Sequence, residues 1–496
     1  MTELTSLPQF PWLSLLVVLP LAGALLCLMH SKRPADCRAL SLATSLAVFG
    51  VALYLFICHG QGEGRWLLYE DVSWIERYGA RYVLALDGIA LLMVLLTSFM
   101  QVSAVLLAWR VERHVSSFFA LLLLLEAGLM GIFLAYDLVL FYLFWEVALI
   151  PMFFLISVWG GANRRQAALK FFLYTLVGSF FMLIAIIALY QIHGAQSGVY
   201  SFVIGDLLQT QLTAAQEGWL FAGFMAAFIV KSPLVPFHTW LTDALTESPA
   251  AGSLDLTGLL LKTGIYGLIR VAFPLFPNAT ESFLPILAVF ALVGLFHAAW
   301  SAYHQDDIKR LLAYSSISHL GLVVLGLAAW QLTAWEGSIL LMVTHGITTG
   351  ALFVLVALIQ ERTGTRSLKE LGGLWGQAPC LGFLFLLFSL ASLGLPGLAN
   401  FAGEILVLLG TFQQHPFWAV IALLGVVFAA AYMLRLVQGV LWGPVYKERS
   451  LPDLTLREWI ILLPMAILVV WMGVYPEPFL APMHGAVASL LAGGLP

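Results

Sequence analysis

The chain has 496 residues, of which 61% are hydrophobic and only 10% charged, with a mean hydropathy of +0.95 and a formal net charge of −4. A soluble chain carries about 25% charged residues, because water must wet its surface, so this composition excludes a soluble protein and defines a single polytopic membrane domain. The four cysteines, Cys27, Cys37, Cys58 and Cys380, are scattered without a CxxC pair, which argues against a disulfide framework, a zinc site or an iron–sulfur cluster. No GxGxxG or GxxxxGK[ST] run suggests a nucleotide site, and nothing suggests nucleic acid.

Apolar runs fall at about 11–29, 38–58, 82–109, 116–135, 137–159, 167–192, 218–237, 250–275, 281–303, 307–328, 336–360, 378–398, 400–442 and 456–475. Each crosses one hydrocarbon thickness, which takes about 20 residues. The first run follows MTELTSLPQF, with Glu3 and no basic segment, so it reads as a retained helix and not a cleaved signal. The aromatic and charged residues of 60–81, among them Trp66, Tyr69, Trp74 and Tyr78, alternate as a hairpin would. The run 378–398 is interrupted at Leu395-Pro396-Gly397, and 400–442 must break near Gln413-Gln414-His415-Pro416. One discontinuous helix from 378 to about 412 and another span from 416 to 441 bring the expectation to an all-α fold of about fourteen transmembrane helices. Its parts are residues 1–115 (three helices and the hairpin), 116–442 (the core) and 443–496 (the last helix and a tail).

Orientation follows from lysine and arginine, which favour the cytoplasmic side. With the N-terminus outside, the inner loops hold Lys32, Arg33, Arg38, Arg110, Arg113, Arg164, Arg165, Lys170, Lys309, Arg310, Arg362, Arg366, Lys369, Lys447, Arg449 and Arg457, sixteen residues. The outer segments hold four, Arg65, Arg77, Arg81 and Arg270. Both termini are therefore expected in the periplasm, with the chain in a bacterial inner membrane among lipids.

An ionised side chain at mid-bilayer costs about 2.5–3.5 kcal/mol on insertion scales. Here such residues are Glu146 (FYLFWEVALIPM), Lys231 (FIVKSPLVPFHTW), Lys262 (GLLLKTGIYG) and Glu404 (NFAGEILVLL). Glu126, Asp87, Arg435, His319 and His345 are further candidates. Taken singly, each has a structural explanation: half of an ion pair, a satisfied core histidine, or, for Asp87 and Arg435, a cap or a snorkelling side chain. Asn278-Ala279-Thr280 forms a sequon by chance. The constellation is harder to explain structurally. Two acids and two lysines occupy four separate spans, and two of these spans contain helix breakers: Pro233 and Pro236 beside Lys231, Pro396 and Gly397 before Glu404. Proline removes a helical hydrogen bond, and broken backbone at membrane depth persists only against protein or water. Paired broken helices point to an ion path between inverted repeats, here spans four to eight and nine to thirteen.

The chemistry such residues support is proton transfer. Lysine has an ordinary pKa of about 10.4. Desolvation favours its neutral form, and a nearby carboxylate favours its charged form. At about 5 Å and an effective dielectric of about 20, a Glu–Lys pair attracts by about 3 kcal/mol. Moving Glu146 relative to Lys231 would switch that lysine between holding and releasing a proton. Lys262, the histidines and Glu404 would relay it.

FWEVALIPMFFL, KSPLVPFHTWLTDA, SPAAGSLDLTGLLLKTGIYGLIR, DDIKRLLAYSSISHLG and LPGLANFAGE resemble the antiporter-like membrane subunits of respiratory complex I, the bacterial NADH:quinone oxidoreductase, and most closely their M-type. The resemblance runs through nearly the whole chain and is strongest from about 140 to 410. It implies fourteen helices, inverted repeats of five, and discontinuous helices seven and twelve. It implies Glu146 and Lys231 as a charge-switch pair, Lys262 as central carrier and Glu404 as terminal site, with His319 and His345 in a hydrated axis, where Glu126 is a further candidate. The L- and N-type relatives usually carry lysine at the position of Glu404. The resemblance also implies that this chain is a non-redox pump subunit without a cofactor. FMN, iron–sulfur clusters and quinone would belong to other subunits, and L-type and N-type subunits would be its neighbours. The family pattern WLPDAH reads Trp240-Leu241-Thr242-Asp243-Ala244-Leu245 here, so its proline and histidine are absent and His238 is the histidine left nearby. The same motifs occur in multisubunit cation/proton antiporters, which remain an alternative, as does a subunit of a membrane-bound hydrogenase. Glu404 in place of lysine speaks against the antiporter.

Overall fold

A computed structural model describes residues 10–30, 32–60, 66–443 and 451–493. Glu3, Arg65, Lys447 and Arg449, used in the sequence reading, lie outside the described residues. Among the described residues, twelve helices are long and apolar enough to cross a membrane. The fold is all-α and multi-spanning, with one small hairpin.

The first helices are α1 (Trp12–Met29) and α2 (Pro34–His59). Strands β1 (Leu68–Ile75) and β2 (Ala80–Leu86) pair antiparallel, and Gly79 turns between them at φ +66. The residues 82–86, read from sequence as the start of a helix, are therefore strand. Apolar residues there belong to the pairing face of the hairpin, and hydropathy alone joins them to the helix that follows. Asp87 ends the strand and caps α3 (Gly88–Leu107), its Oδ1 accepting the Ala90 N–H at 2.8 Å. Glu70 of β1 accepts from the Leu13 and Ser14 amides at 2.7 and 3.0 Å, satisfying bare N–H groups at the start of α1.

The chain continues through α4 (Val115–Leu134), α5 (Leu138–Trp159) and α6 (Arg164–Ser197). Helix α7 (Ala214–Lys231) stops where Pro233 and Pro236 follow, and α8 (Thr239–Glu247) begins after seven intervening residues. Next come α9 (Ala250–Leu275), α10 (Pro277–Tyr303), α11 (Ile308–Ala328) and α12 (Leu332–Thr363). Helix α13 (Pro379–Ser392) ends before Gly394 and Gly397, which take φ +82 and +90, and α14 (Ala399–Gln414) follows. Those positive φ values are the left-handed region in which glycine replaces other residues without steric cost. The expected break at His415-Pro416 separates α14 from α15 (Pro416–Trp442), and α16 (Leu456–Val474) completes the long helices. The tail is also helical, as α17 (Glu477–Ala492).

Burial divides the helices. The most apolar windows of α9 and α12 are wholly buried and that of α11 nearly so, while α1, α2, α6, α10, α15 and α16 leave more than half of theirs uncovered. The uncovered residues are apolar, for example Phe180, Phe181, Val289, Leu423 and Val470, as a lipid-facing ring requires. The central helices carry the buried charges. Both ends of the described chain lie on the hairpin side: Glu70 caps α1, and Pro482 of α17 packs so closely on Gly88 that a Cβ there would overlap its carbonyl oxygen.

Candidate functional site: a buried file of ionisable residues

The centre of the site is α9. Its residues Leu256–Leu260 are wound as a π-helix, so the Leu261 N–H turns back to the Leu256 carbonyl. A π-turn leaves backbone groups free for side chains and occurs often at functional sites. Here the Lys262 ammonium donates to the Thr257 carbonyl. Nζ of Lys262, fully buried, also stands 3.1 Å from Nδ1 of His345 on α12. The His345 ring faces His319 of α11 at a centroid separation of 5.4 Å. His319 Nδ1 is 3.3 Å from Glu404 Oε1 on α14. Four ionisable residues from four helices thus form one file: Lys262, His345, His319, Glu404. Nε2 of each histidine is buried with no hydrogen-bond partner, which leaves both rings able to exchange a proton at a second atom.

The break between α13 and α14 fits Glu404. A Cβ on Gly394 would come within 2.3 Å of Glu404 Oε2. Only glycine supplies both the positive φ and the room for the carboxylate. Tyr432 of α15 lies near the same carboxylate, and its hydroxyl is 3.0 Å from Ser315 Oγ.

A second group sits at the end of α7. Lys231 is buried and its ammonium has no hydrogen-bond partner. It lies 4.4 Å above the Trp145 ring, whose π face attracts a cation. Lys231 is also the last residue of α7, where the helix dipole favours positive charge. Glu146 is the charged group that Lys231 feels. No ion pair within 4.0 Å joins the two among the described residues, and Glu146 Oε1 is buried without a donor. The group in contact with the Lys231 ammonium is the Trp145 ring.

The remaining candidates lie elsewhere. His238, at the start of α8, faces His297 of α10 at 5.2 Å and Tyr314 at 6.2 Å. Glu126 lies on α4, 3.4 Å from Ser45 Oγ, with Asp255 as its charged neighbour. Asp87 and Arg270 form a buried ion pair at 2.7 Å, with Trp66 stacked 4.5 Å from the guanidinium. Arg270 was counted among exposed loop charges, and it is instead a structural charge inside α9. Arg435 binds the carbonyls of Tyr303 and Gln305 at the end of α10, the capping role anticipated for it. Sequence reasoning passed over Trp145, His297 and Asp255. Asp255 carried a signal, an acid inside a 26-residue apolar span. Trp145 and His297 carried none, since aromatic and single histidine residues in apolar helices are ordinarily packing.

Long apolar helices around a file of buried ionisable groups define the class: a polytopic membrane protein equipped to conduct protons or small ions. The chain matches the family described as "NADH:quinone oxidoreductase/Mrp antiporter, TM" over residues 135–429, and it belongs to that family. It is 42% identical to NADH-quinone oxidoreductase subunit M of Pseudomonas aeruginosa, covering 97% of this chain and 99% of the relative. It is 40% identical to subunit M of Escherichia coli strain K12, with 97% of each chain covered. In structure it is similar to a chain of respiratory complex I from Thermus thermophilus, solved with bound NADH, at a TM-score of 0.87 and 35% identity, covering 97% and 99% of the two chains. With bacterial relatives of full length, this is a multi-pass protein of a bacterial membrane.

Proposed function

We propose that this chain is a proton-translocating membrane-arm subunit of an NADH:quinone oxidoreductase. The observation that carries the reading is the Lys262–His345–His319–Glu404 file, which ends at a helix break shaped around a carboxylate. In this reading Glu146 and Lys231 are the charge switch, with Trp145 holding the ammonium when Glu146 is withdrawn. Lys262 is the central carrier, and the histidines pass its proton to Glu404 through water at their free Nε2 atoms. Glu126 and His238 lie off this line. The backbone freed by Pro233, Pro236, Pro396 and Gly397 lines the ends of the path. Electrons travel in other subunits, which bear the FMN, iron–sulfur clusters and quinone. Each proton moved outward works against about 2.3 kcal/mol per 100 mV.

The same proposal takes α7 with α8 and α13 with α14 as single discontinuous spans, seventh and twelfth of fourteen. It takes α4–α9 and α10–α15 as inverted repeats within a core of residues 116–442. The helix lengths support this: 20, 22 and 34 residues, a broken helix and 26, against 27, 21 and 32, a broken helix and 27. Both termini are periplasmic, and L-type and N-type antiporter-like subunits flank the chain. Native electrophoresis of gently solubilised membranes tests the assignment. The chain is expected in a band of several hundred kilodaltons that stains for NADH dehydrogenase activity. Migration in a smaller band without that activity would overturn the redox coupling and favour a cation/proton antiporter.

A further inference from the structure

Between α6, α7 and α10 the lipid-facing surface holds a groove of about 850 Å³, lined by apolar side chains such as Phe181, Met225, Ile229 and Phe290. It follows α7 from Gly218 to Val230, about 18 Å of helix rise. One leaflet of hydrocarbon is about 15 Å deep, half of the bilayer core, so the groove has the length of a single acyl chain. The segment leading into α7 packs on the hairpin, where the Tyr200 carbonyl lies against Gly79, which places the Gly218 end on the hairpin face. There Gly218, Phe221 and Phe283 also line a second cavity of about 320 Å³, whose walls include Glu217, Asn278 and Ser282. Glu217 is buried, and its Oε1 accepts the Ala279 N–H at 2.9 Å while its Oε2 accepts from Asn278 Nδ2 at 2.8 Å. These bonds position the carboxylate without cancelling its charge. Glu217 forms no ion pair among the described residues, and no lysine, arginine or histidine lines either space. A carboxylate offers about four acceptor positions, so two remain for a cation.

Gly218 stands where the groove and the cavity adjoin. Glycine inside a helix is less favourable than alanine, and close packing is the ordinary reason for it. That reason holds at Gly178 and Gly223, where a Cβ would come within 3.1 Å of the Ala226 carbonyl and 2.8 Å of Ala185 Cβ. A Cβ on Gly218 would meet nothing within 4 Å, so no neighbour requires its absence. What the missing side chain leaves open is the way from the groove to Glu217. We propose that the groove binds one phospholipid with a primary ammonium headgroup, taken from the leaflet on the hairpin face. One acyl chain lies along α7, and the ammonium donates to the free acceptor positions of Glu217. The second N–H of the Asn278 amide is a donor for the phosphodiester. An anionic headgroup would instead meet an uncompensated carboxylate. The groove ends at Val230, the residue before Lys231, so the chain packs the helix that carries that ammonium.

Photocrosslinking in the purified complex, reconstituted into vesicles, tests this. Phosphatidylethanolamine and phosphatidylglycerol carrying the same diazirine-bearing acyl chain are compared, and labelled peptides are mapped by mass spectrometry. The ethanolamine probe is expected to label residues 218–230 and 283–290 about tenfold more than the glycerol probe, the discrimination of a hydrogen bond to a charged group. Glu217→Gln should bring the two probes to the same level. Gly218→Phe, whose side chain fills the neck, should remove the groove labelling while the lipid-facing residues of α15 and α16 are still labelled. Should one variant fail to assemble on native gels, the other and the probe comparison in the unaltered complex decide the matter. Equal labelling by the two probes in the unaltered complex, or a preference that survives in either assembled variant, would overturn the proposal and leave an ordinary boundary lipid. An unlabelled groove would mean that a neighbouring subunit covers it, and would overturn the proposal as well.

Discussion

At the scale of single residues, the site is defined by charges that the fold buries without neutralising. A buried cation with no carboxylate in contact, as at Lys231, is costly for folding, and Trp145 and the end of α7 only partly offset that cost. Stability would favour a direct ion pair, so the absence of one between Glu146 and Lys231 supports the transfer chemistry proposed for them. Glu146→Gln removes the charge proposed to switch Lys231, and Lys262→Met removes the amine that faces His345 of α12. Each is expected to reduce proton translocation through this chain by about two orders of magnitude, as loss of a positioned acid or base does. NADH-driven quenching of a pH-sensitive dye in membrane vesicles reads this, and normal quenching in an assembled variant would remove that residue from the path. Asp87 and Arg270 make the contrast. They are also buried, but paired at 2.7 Å. Arg270→Met leaves Asp87 uncompensated and is expected to cost about 3–5 kcal/mol, read as a fall in the thermal stability of the purified complex. Adding Asp87→Asn should recover part of that loss, and no recovery would mean the pair is not the source of the cost.

At the scale of elements, the breaks between α7 and α8 and between α13 and α14 do more than interrupt hydrogen bonding. At the second break, glycine is needed twice over at residue 394, for its φ of +82 and for the Glu404 carboxylate 2.3 Å from the place of its missing Cβ. Gly394→Ala is expected to cost about 1–2 kcal/mol in backbone strain and to push Glu404 away from His319. Pumping should fall several-fold while the complex still assembles on native gels. Retained pumping would mean that the His319–Glu404 contact at 3.3 Å is not on the path. These breaks were legible because proline and glycine announce themselves in an apolar run. The strand residues 83–86 were not, because they are as apolar as α3 and nothing in hydropathy marks the change of period. Helix α17 was missed for a related reason: at 16 residues it is too short to read as a span, and it is held by packing on α3 and α12. The four residues of the file were all singled out as buried charges or histidines. Their order was not, since it depends on how α9, α11, α12 and α14 pack.

At the scale of the whole molecule, the arrangement must be directional, and direction rests on which face meets the cytoplasm. The hairpin, the start of α1 and helix α17 share one face. The basic residues gather at the other, where Arg366 pairs with Asp307 at 2.6 Å and Lys170 with Asp243 at 2.7 Å. Positive loops stay in the cytoplasm because translocating them is unfavourable, so the hairpin face is expected to be periplasmic. Cysteine labelling in intact cells can decide this. Cys58 and Cys380 are exposed and must first become serine. In that background Arg77→Cys lies on the hairpin and Lys369→Cys on the opposite, basic face, where the native lysine pairs with Asp306 and is largely exposed. A membrane-impermeant maleimide that passes the outer membrane should label the first in intact cells and the second only after the inner membrane is opened. The reverse pattern would invert the chain in the membrane. The file from Lys262 to Glu404 would keep its geometry, and the outward transfer proposed for it would have to run through it in the opposite direction.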